Sequence, residues 1–161
     1  MSQRVILPTA AHTDRLGAAL GNAMPADAAG AMLTLKGDLG AGKTALVRAL
    51  LGALGHIGPV PSPTYTLIEP YEILEFPIYH VDLYRVLSID ELEFLGWEDL
   101  RAGLALVEWP ERAPAFTAAA DLSIELHYLD TGREAILRPS GPKGDAWVAK
   151  LQLSEVLEQP F

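Results

Sequence analysis

Lys43, Thr44, Asp82 and Glu108 are the side chains whose types and neighbours suit chemistry on a phosphate. Lys43 and Thr44 close Gly37-Asp38-Leu39-Gly40-Ala41-Gly42-Lys43-Thr44, which fits the phosphate-loop pattern G-x-x-x-x-G-K-[ST]. Glycines at those positions let successive backbone N–H groups turn toward one anion. The lysine then reaches the β/γ-phosphates of a nucleotide, and the threonine hydroxyl faces Mg²⁺. Asp38, Leu39, Gly40, Ala41, Gly42, Lys43, Thr44 and Ala45 form the expected nucleotide-binding set.

A phosphate loop needs an acid beside its metal. Glu108 follows the apolar run 104–107, at the strand end where open α/β sheets place their sites. By general rule an Asp stands there, so Glu108 reads either as the metal acid with Thr44 or as the first solvated residue after a strand. Asp82 shares one face of an alternating stretch with His80 and Tyr84. A carboxylate there can orient or deprotonate an attacking water. It can equally be the polar face of an edge strand, or a pair with Arg85. Thr64 sits in a loop with prolines at 59, 61 and 63. Its hydroxyl either senses the γ-phosphate through Mg²⁺ or belongs to a rigid Ser-Pro-Thr turn. His80 and Asp82, two apart on one strand face, could form half of a metal site, but His12, His56 and His127 show no matching ligand spacing, so no zinc site is expected. Trp109 reads as a packing residue rather than a base-stacking one.

The elements needed to position these groups are legible. Residues 31–35 form a short apolar run, read as a buried strand. From Lys43 to Leu54, Leu46, Val47, Leu50, Leu51 and Leu54 recur at helical spacing, and Gly55 stops the helix. The order strand, glycine loop, helix aims the positive helix end at the phosphates. Upstream, a strand over 4–7 precedes a helix capped by Thr9 or Thr13 and running to about Met24, with Leu16, Ala19, Leu20 and Ala23 on one face. Downstream, strands over 66–68 and 76–84 form an antiparallel hairpin, with Pro70 near a turn. Ser88 and Glu91 make a capping box for a helix packed through Leu92, Leu95 and Trp97. Residues 104–107 read as a central strand covered on both faces. Strands over 122–128 and 134–139 flank the turn Asp130-Thr131-Gly132. From Lys143 the tail reads as a helix packing through Trp147, Val148 and Leu151. This pattern describes one α/β domain over 1–161, with a mixed central sheet flanked by helices.

With 161 residues the chain can bury roughly two thirds of its unfolded surface. The formal net charge of −9 argues against a broad nucleic-acid surface, though not against a partner that carries nucleic acid. There is no cysteine, so no disulfide or thiolate metal site is possible. No stretch reads as a secretory signal or a membrane span, so the expected location is the cytoplasm.

The order GDLGAGKT, SPTY, Tyr79-His80-Val81-Asp82-Leu83-Tyr84-Arg85 and Val107-Glu108-Trp109-Pro110-Glu111 resembles the bacterial TsaE (YjeE-type) P-loop ATPases. The resemblance implies a P-loop NTPase fold, ATP and Mg²⁺ as ligands, and phosphates held by Lys43 and the amides of residues 40–44. It implies that Thr44 and Glu108 serve Mg²⁺, that Thr64 lies in a switch-like loop, and that Asp82 is the acid needed for hydrolysis. It also implies a slow ATPase that acts with the TsaD–TsaB heterodimer in threonylcarbamoyl-adenosine modification, meeting tRNA only indirectly. Two other classes use the same loop. A small-molecule or nucleoside kinase needs an arginine-bearing lid, and the arginines here do not cluster. A GTPase-like binding module needs an Asn-Lys-x-Asp stretch, and the only asparagine is Asn22.

Overall fold

The computed structural model describes residues 2–94 and 96–157. Among these, seven strands form one sheet: β1 (Gln3–Leu7), β2 (Met32–Lys36), β3 (Ile68–Tyr71), β4 (Ile78–Asp82), β5 (Leu104–Glu108), β6 (Leu122–Tyr128) and β7 (Arg133–Pro139). Their spatial order is β1-β7-β6-β2-β5-β4-β3. The central four, β6, β2, β5 and β4, run parallel. Antiparallel pairs β1–β7, β6–β7 and β3–β4 complete the two edges. The sheet is therefore mixed. The carboxyl ends of the parallel strands share one edge, where such sheets bind ligands.

Helices α1 (Ala10–Asn22) and α2 (Lys43–Ala53) cover one face. Leu16 and Leu20 of α1 and Leu46, Leu50 and Leu51 of α2 are fully buried, together with Leu33, Leu35, Leu104, Leu106 and Ile124 of the sheet. The two helices pack closely enough that a Cβ on Gly17 would stand 2.4 Å from the Leu46 carbonyl oxygen, and one on Gly21 would stand 2.7 Å from that of Leu50. Thr9 holds the cap position, but its hydroxyl meets His12 Nδ1 at 2.8 Å rather than a backbone N–H. On the other face a second core gathers Val81, Leu83, Ala105, Val107, Leu92 of α3 (Ile89–Phe94), and Trp97 and Leu100 of the 3₁₀ helix Trp97–Ala102. In the capping region the Glu91 carboxylate accepts from the Leu87 N–H at 3.4 Å. Leu95, expected on the buried face of this helix, lies outside the described residues.

Three expectations are corrected. Pro70 lies inside β3, opposite Tyr79, rather than at a turn. β3 is the sheet edge, where a residue without an N–H leaves no ladder bond unmade. β4 lies between β3 and β5, which removes the edge-strand alternative for Asp82, and both His80 and Asp82 are buried. The tail forms two helices, α5 (Gly141–Lys150) and α6 (Leu153–Leu157), because Leu151 is extended (φ −75°, ψ 123°). Trp147 is nonetheless fully buried and donates its indole N–H to the Leu20 carbonyl at 2.9 Å. A four-residue helix, α4 (Pro114–Thr117), follows β5. Among the described residues no helix is long and apolar enough to cross a membrane.

Candidate functional site

A pocket of about 430 Å³ opens at the carboxyl edge of the parallel strands. Gly40, Gly42, Lys43, Thr44 and Ala45 line it from the phosphate loop, Asp82 and Tyr84 from the end of β4, and Glu108 and Trp109 from the end of β5. Ser62 and Thr64 reach in from the proline loop. Lys43, Thr44, Thr64, Asp82 and Glu108 thus meet in one cleft. Leu39 also lines it, while Ala41 is fully buried beneath the loop. Asp38 borders the site through its carbonyl, which accepts from Lys43 Nζ at 3.0 Å.

The loop geometry follows from its glycines. Gly42 caps α2 with φ 110°, a left-handed conformation that other residues adopt only with strain. The chain then enters α2 with the first helical N–H groups free to face an anion. Lys43 Nζ donates to the Gly37 and Asp38 carbonyls and lies 4.3 Å from the centre of the Trp109 ring. Burial pushes this ammonium below its usual 10.5, while Glu108, Glu111, Asp82 and Asp38 pull it back up. Trp109 takes φ 59°, ψ 50°, so the chain turns sharply right after Glu108. Its ring covers the lysine and packs on Tyr84 at 4.8 Å.

The two acids come from neighbouring strands. β4 and β5 are parallel, with Asp82 directly opposite Glu108. Both are buried, at 3% and 2% exposure. Thr44 Oγ1 donates to the Glu108 carboxylate, lying 3.1 Å from Oε1 and 3.0 Å from Oε2. Asp82 accepts from the Ser62 hydroxyl at 3.1 Å, the Thr64 hydroxyl at 3.2 Å and the Tyr84 N–H at 2.9 Å. Asp82 therefore ties the proline loop to the sheet. Arg85 stacks over Tyr65 at 4.5 Å, away from the role of ion-pair partner.

Mg²⁺ demands hard oxygen donors and usually keeps waters, taking one or two carboxylates plus substrate phosphates. The buried Glu108 carboxylate with the Thr44 hydroxyl against it is such a partial set. Among the described residues no cluster of three or more His, Cys, Asp or Glu could cage a metal alone. The donors therefore fit Mg²⁺ arriving with a nucleotide better than a resident ion.

Sequence reasoning missed three residues here. Arg133 lines the pocket and donates to the Gly40 carbonyl at 3.1 Å. Tyr128 donates to the Leu39 carbonyl at 3.0 Å. Both flank the β6–β7 turn, which was legible, but nothing local said that this hairpin would clamp the phosphate loop. Ser62 is the third. Its only signal was a hydroxyl two residues from Thr64.

The sheet order, the glycine loop and the acids at adjacent strand ends define a P-loop NTPase fold. The family model described as Threonylcarbamoyl adenosine biosynthesis protein TsaE matches residues 7–135. The chain belongs to the TsaE family. It is 46% identical over 104 residues to the tRNA threonylcarbamoyladenosine biosynthesis protein TsaE of Haemophilus influenzae, covering 63% of this chain and 66% of that protein. To the protein of that name from a Nostoc species it is 39% identical over 144 residues, covering 84% and 85%. The crystal structure of Bacillus subtilis YdiB superposes with a TM-score of 0.69 at 28% identity, over 94% of this chain and 93% of that one.

Proposed function

We propose that the chain is a cytoplasmic, Mg²⁺-dependent ATPase that assists threonylcarbamoyladenosine modification of tRNA by resetting a TsaD–TsaB heterodimer through ATP hydrolysis. The observation that carries the chemistry is the convergence of Thr44 and Glu108 at 3.0 Å, beside Asp82, over the phosphate loop. Family membership and the names of the relatives support the tRNA role. The net charge of −9 suits a protein that leaves tRNA to its partners.

In this reading the N–H groups opening α2 and the Lys43 ammonium bind the β- and γ-phosphates. Mg²⁺, held by Thr44 and Glu108, would neutralise charge developing on those oxygens. Asp82 orients a water for in-line attack on the γ-phosphorus and accepts its proton as the bond to the bridging oxygen breaks. ADP and inorganic phosphate leave. To do this, Asp82 must exchange a hydroxyl of Ser62 or Thr64 for the water. Turnover is thereby coupled to the proline loop, which would carry the nucleotide state to a partner.

Phosphate release and nucleotide binding test the assignment. Lys43→Ala should lose nucleotide binding. Asp82→Ala should keep it and lose about 10²–10⁴-fold in turnover. Equal turnover in Asp82→Ala and wild type would remove Asp82 from the chemistry. Transfer to nucleosides instead of water would favour a kinase. A pull-down of TsaD and TsaB with and without ATP tests the partner.

A further inference from the structure

We propose that His80 is a positioning residue, pinning the Glu108 carboxylate in the orientation that shares a divalent cation with Thr44. The inference rests on the metal–nucleotide reading above and goes beyond it by assigning a role to a side chain outside the cleft lining.

His80 is fully buried on β4, one pleat before Asp82 and on the same face. Its neighbour across the ladder is Leu106, so Glu108 stands diagonally ahead of it. The imidazole spans that diagonal, with Nε2 2.5 Å from Glu108 Oε2. An ionised carboxylate only accepts, so Nε2 carries the proton and donates. The other ring nitrogen, Nδ1, is buried with no hydrogen-bond partner among the described residues. Burying a polar atom unpaired is costly. The flanking positions on this sheet face are Ile78, Leu104 and Leu106, all fully buried. A leucine at position 80 would complete that apolar layer without an orphaned nitrogen. The imidazole is thus a poor choice for packing, and its bond to Glu108 is what it adds.

The identity of the acid explains the need. Glutamate has one more side-chain torsion than the aspartate usual at this strand end, so its carboxylate has more orientations to lose on binding a cation. Thr44 restrains it from the loop side, donating between both oxygens. His80 restrains Oε2 from the sheet side, so the carboxylate is held from two directions. Groups that orient a metal ligand from behind typically change metal affinity 10–100-fold when removed.

The test is a titration of Mn²⁺ into the full chain in the presence of ADP, with free Mn²⁺ read by electron paramagnetic resonance. ADP affinity in EDTA and the unfolding temperature are measured alongside. His80→Leu should weaken Mn²⁺ uptake about tenfold or more, with ADP affinity in EDTA unchanged. In His80→Gln the amide nitrogen falls near the place of Nε2, and Mn²⁺ uptake should stay within about threefold of wild type. In His80→Asn it falls near Nδ1 and cannot reach, so uptake should drop as in His80→Leu. Wild-type Mn²⁺ affinity in His80→Leu would overturn the proposal. Should His80→Leu fail to fold, equal affinities in the Asn and Gln variants would overturn it. A wild-type chain that binds ADP but takes up no Mn²⁺ would overturn the metal reading itself.

Discussion

Lys43 concentrates the electrostatics of the site. Its ammonium is buried enough to sit below its ordinary 10.5, although four acids oppose that shift. Between its folded value and 10.5 the unfolded chain holds more protons, so this residue's contribution makes the protein more stable as pH rises through that window. A polyphosphate against the ammonium favours the charged form and raises the value again. Nucleotide binding within that window should therefore take up protons. Calorimetry in buffers of differing ionisation enthalpy reads this directly, and net proton release would show that the lysine does not meet the phosphates. The lysine was legible from its motif. Its cover by Trp109 was not, because the ring reaches it only through the left-handed turn after Glu108.

At the scale of elements, the contact between α1 and α2 decides where the phosphate loop sits. The glycines of α1 let its backbone touch the carbonyl side of α2, the helix that starts at Lys43. The apolar pattern of α1 gave its leucines but was silent on Gly17 and Gly21, whose part is to be small. Gly17→Val should push α2 away. Overpacking of this kind costs about 1–3 kcal/mol, or about 2–12 °C in unfolding temperature for a chain of this size. It should also weaken nucleotide binding, since Lys43 and Thr44 ride on the displaced helix. A variant with wild-type stability and affinity would show that the helices are free to separate. The β6–β7 hairpin acts on the loop from the other side through Tyr128 and Arg133.

For the whole molecule, both cores pack on one sheet, and the strand ends of that sheet bear the two acids of the pocket, so unfolding should be a single cooperative transition. A ligand that binds only the folded state at 100 times its dissociation constant adds about 2.7 kcal/mol. Mg²⁺-ATP should then raise the unfolding temperature by about 5–11 °C. Differential scanning fluorimetry checks this, with Lys43→Ala as the variant that should show no rise. Two separate transitions, with only one moved by nucleotide, would divide the chain into two domains.

What the linear order of residues determined was whatever depends on near neighbours. The phosphate loop, its flanking strand and helix, the alternation around His80 and Asp82, and the β6–β7 turn are all patterns a few residues long, set by backbone sterics and side-chain period. What only the tertiary structure decided was which patterns meet. Asp82 faces Glu108 because β4 pairs with β5 in one register, and a slip of one residue would turn either acid to the opposite face. The binding of Ser62 and Thr64 to Asp82, of Arg133 to Gly40 and of His80 to Glu108 all depend on that packing. Side chains so far apart along the chain become neighbours only when the burial of two apolar cores fixes the order of the strands.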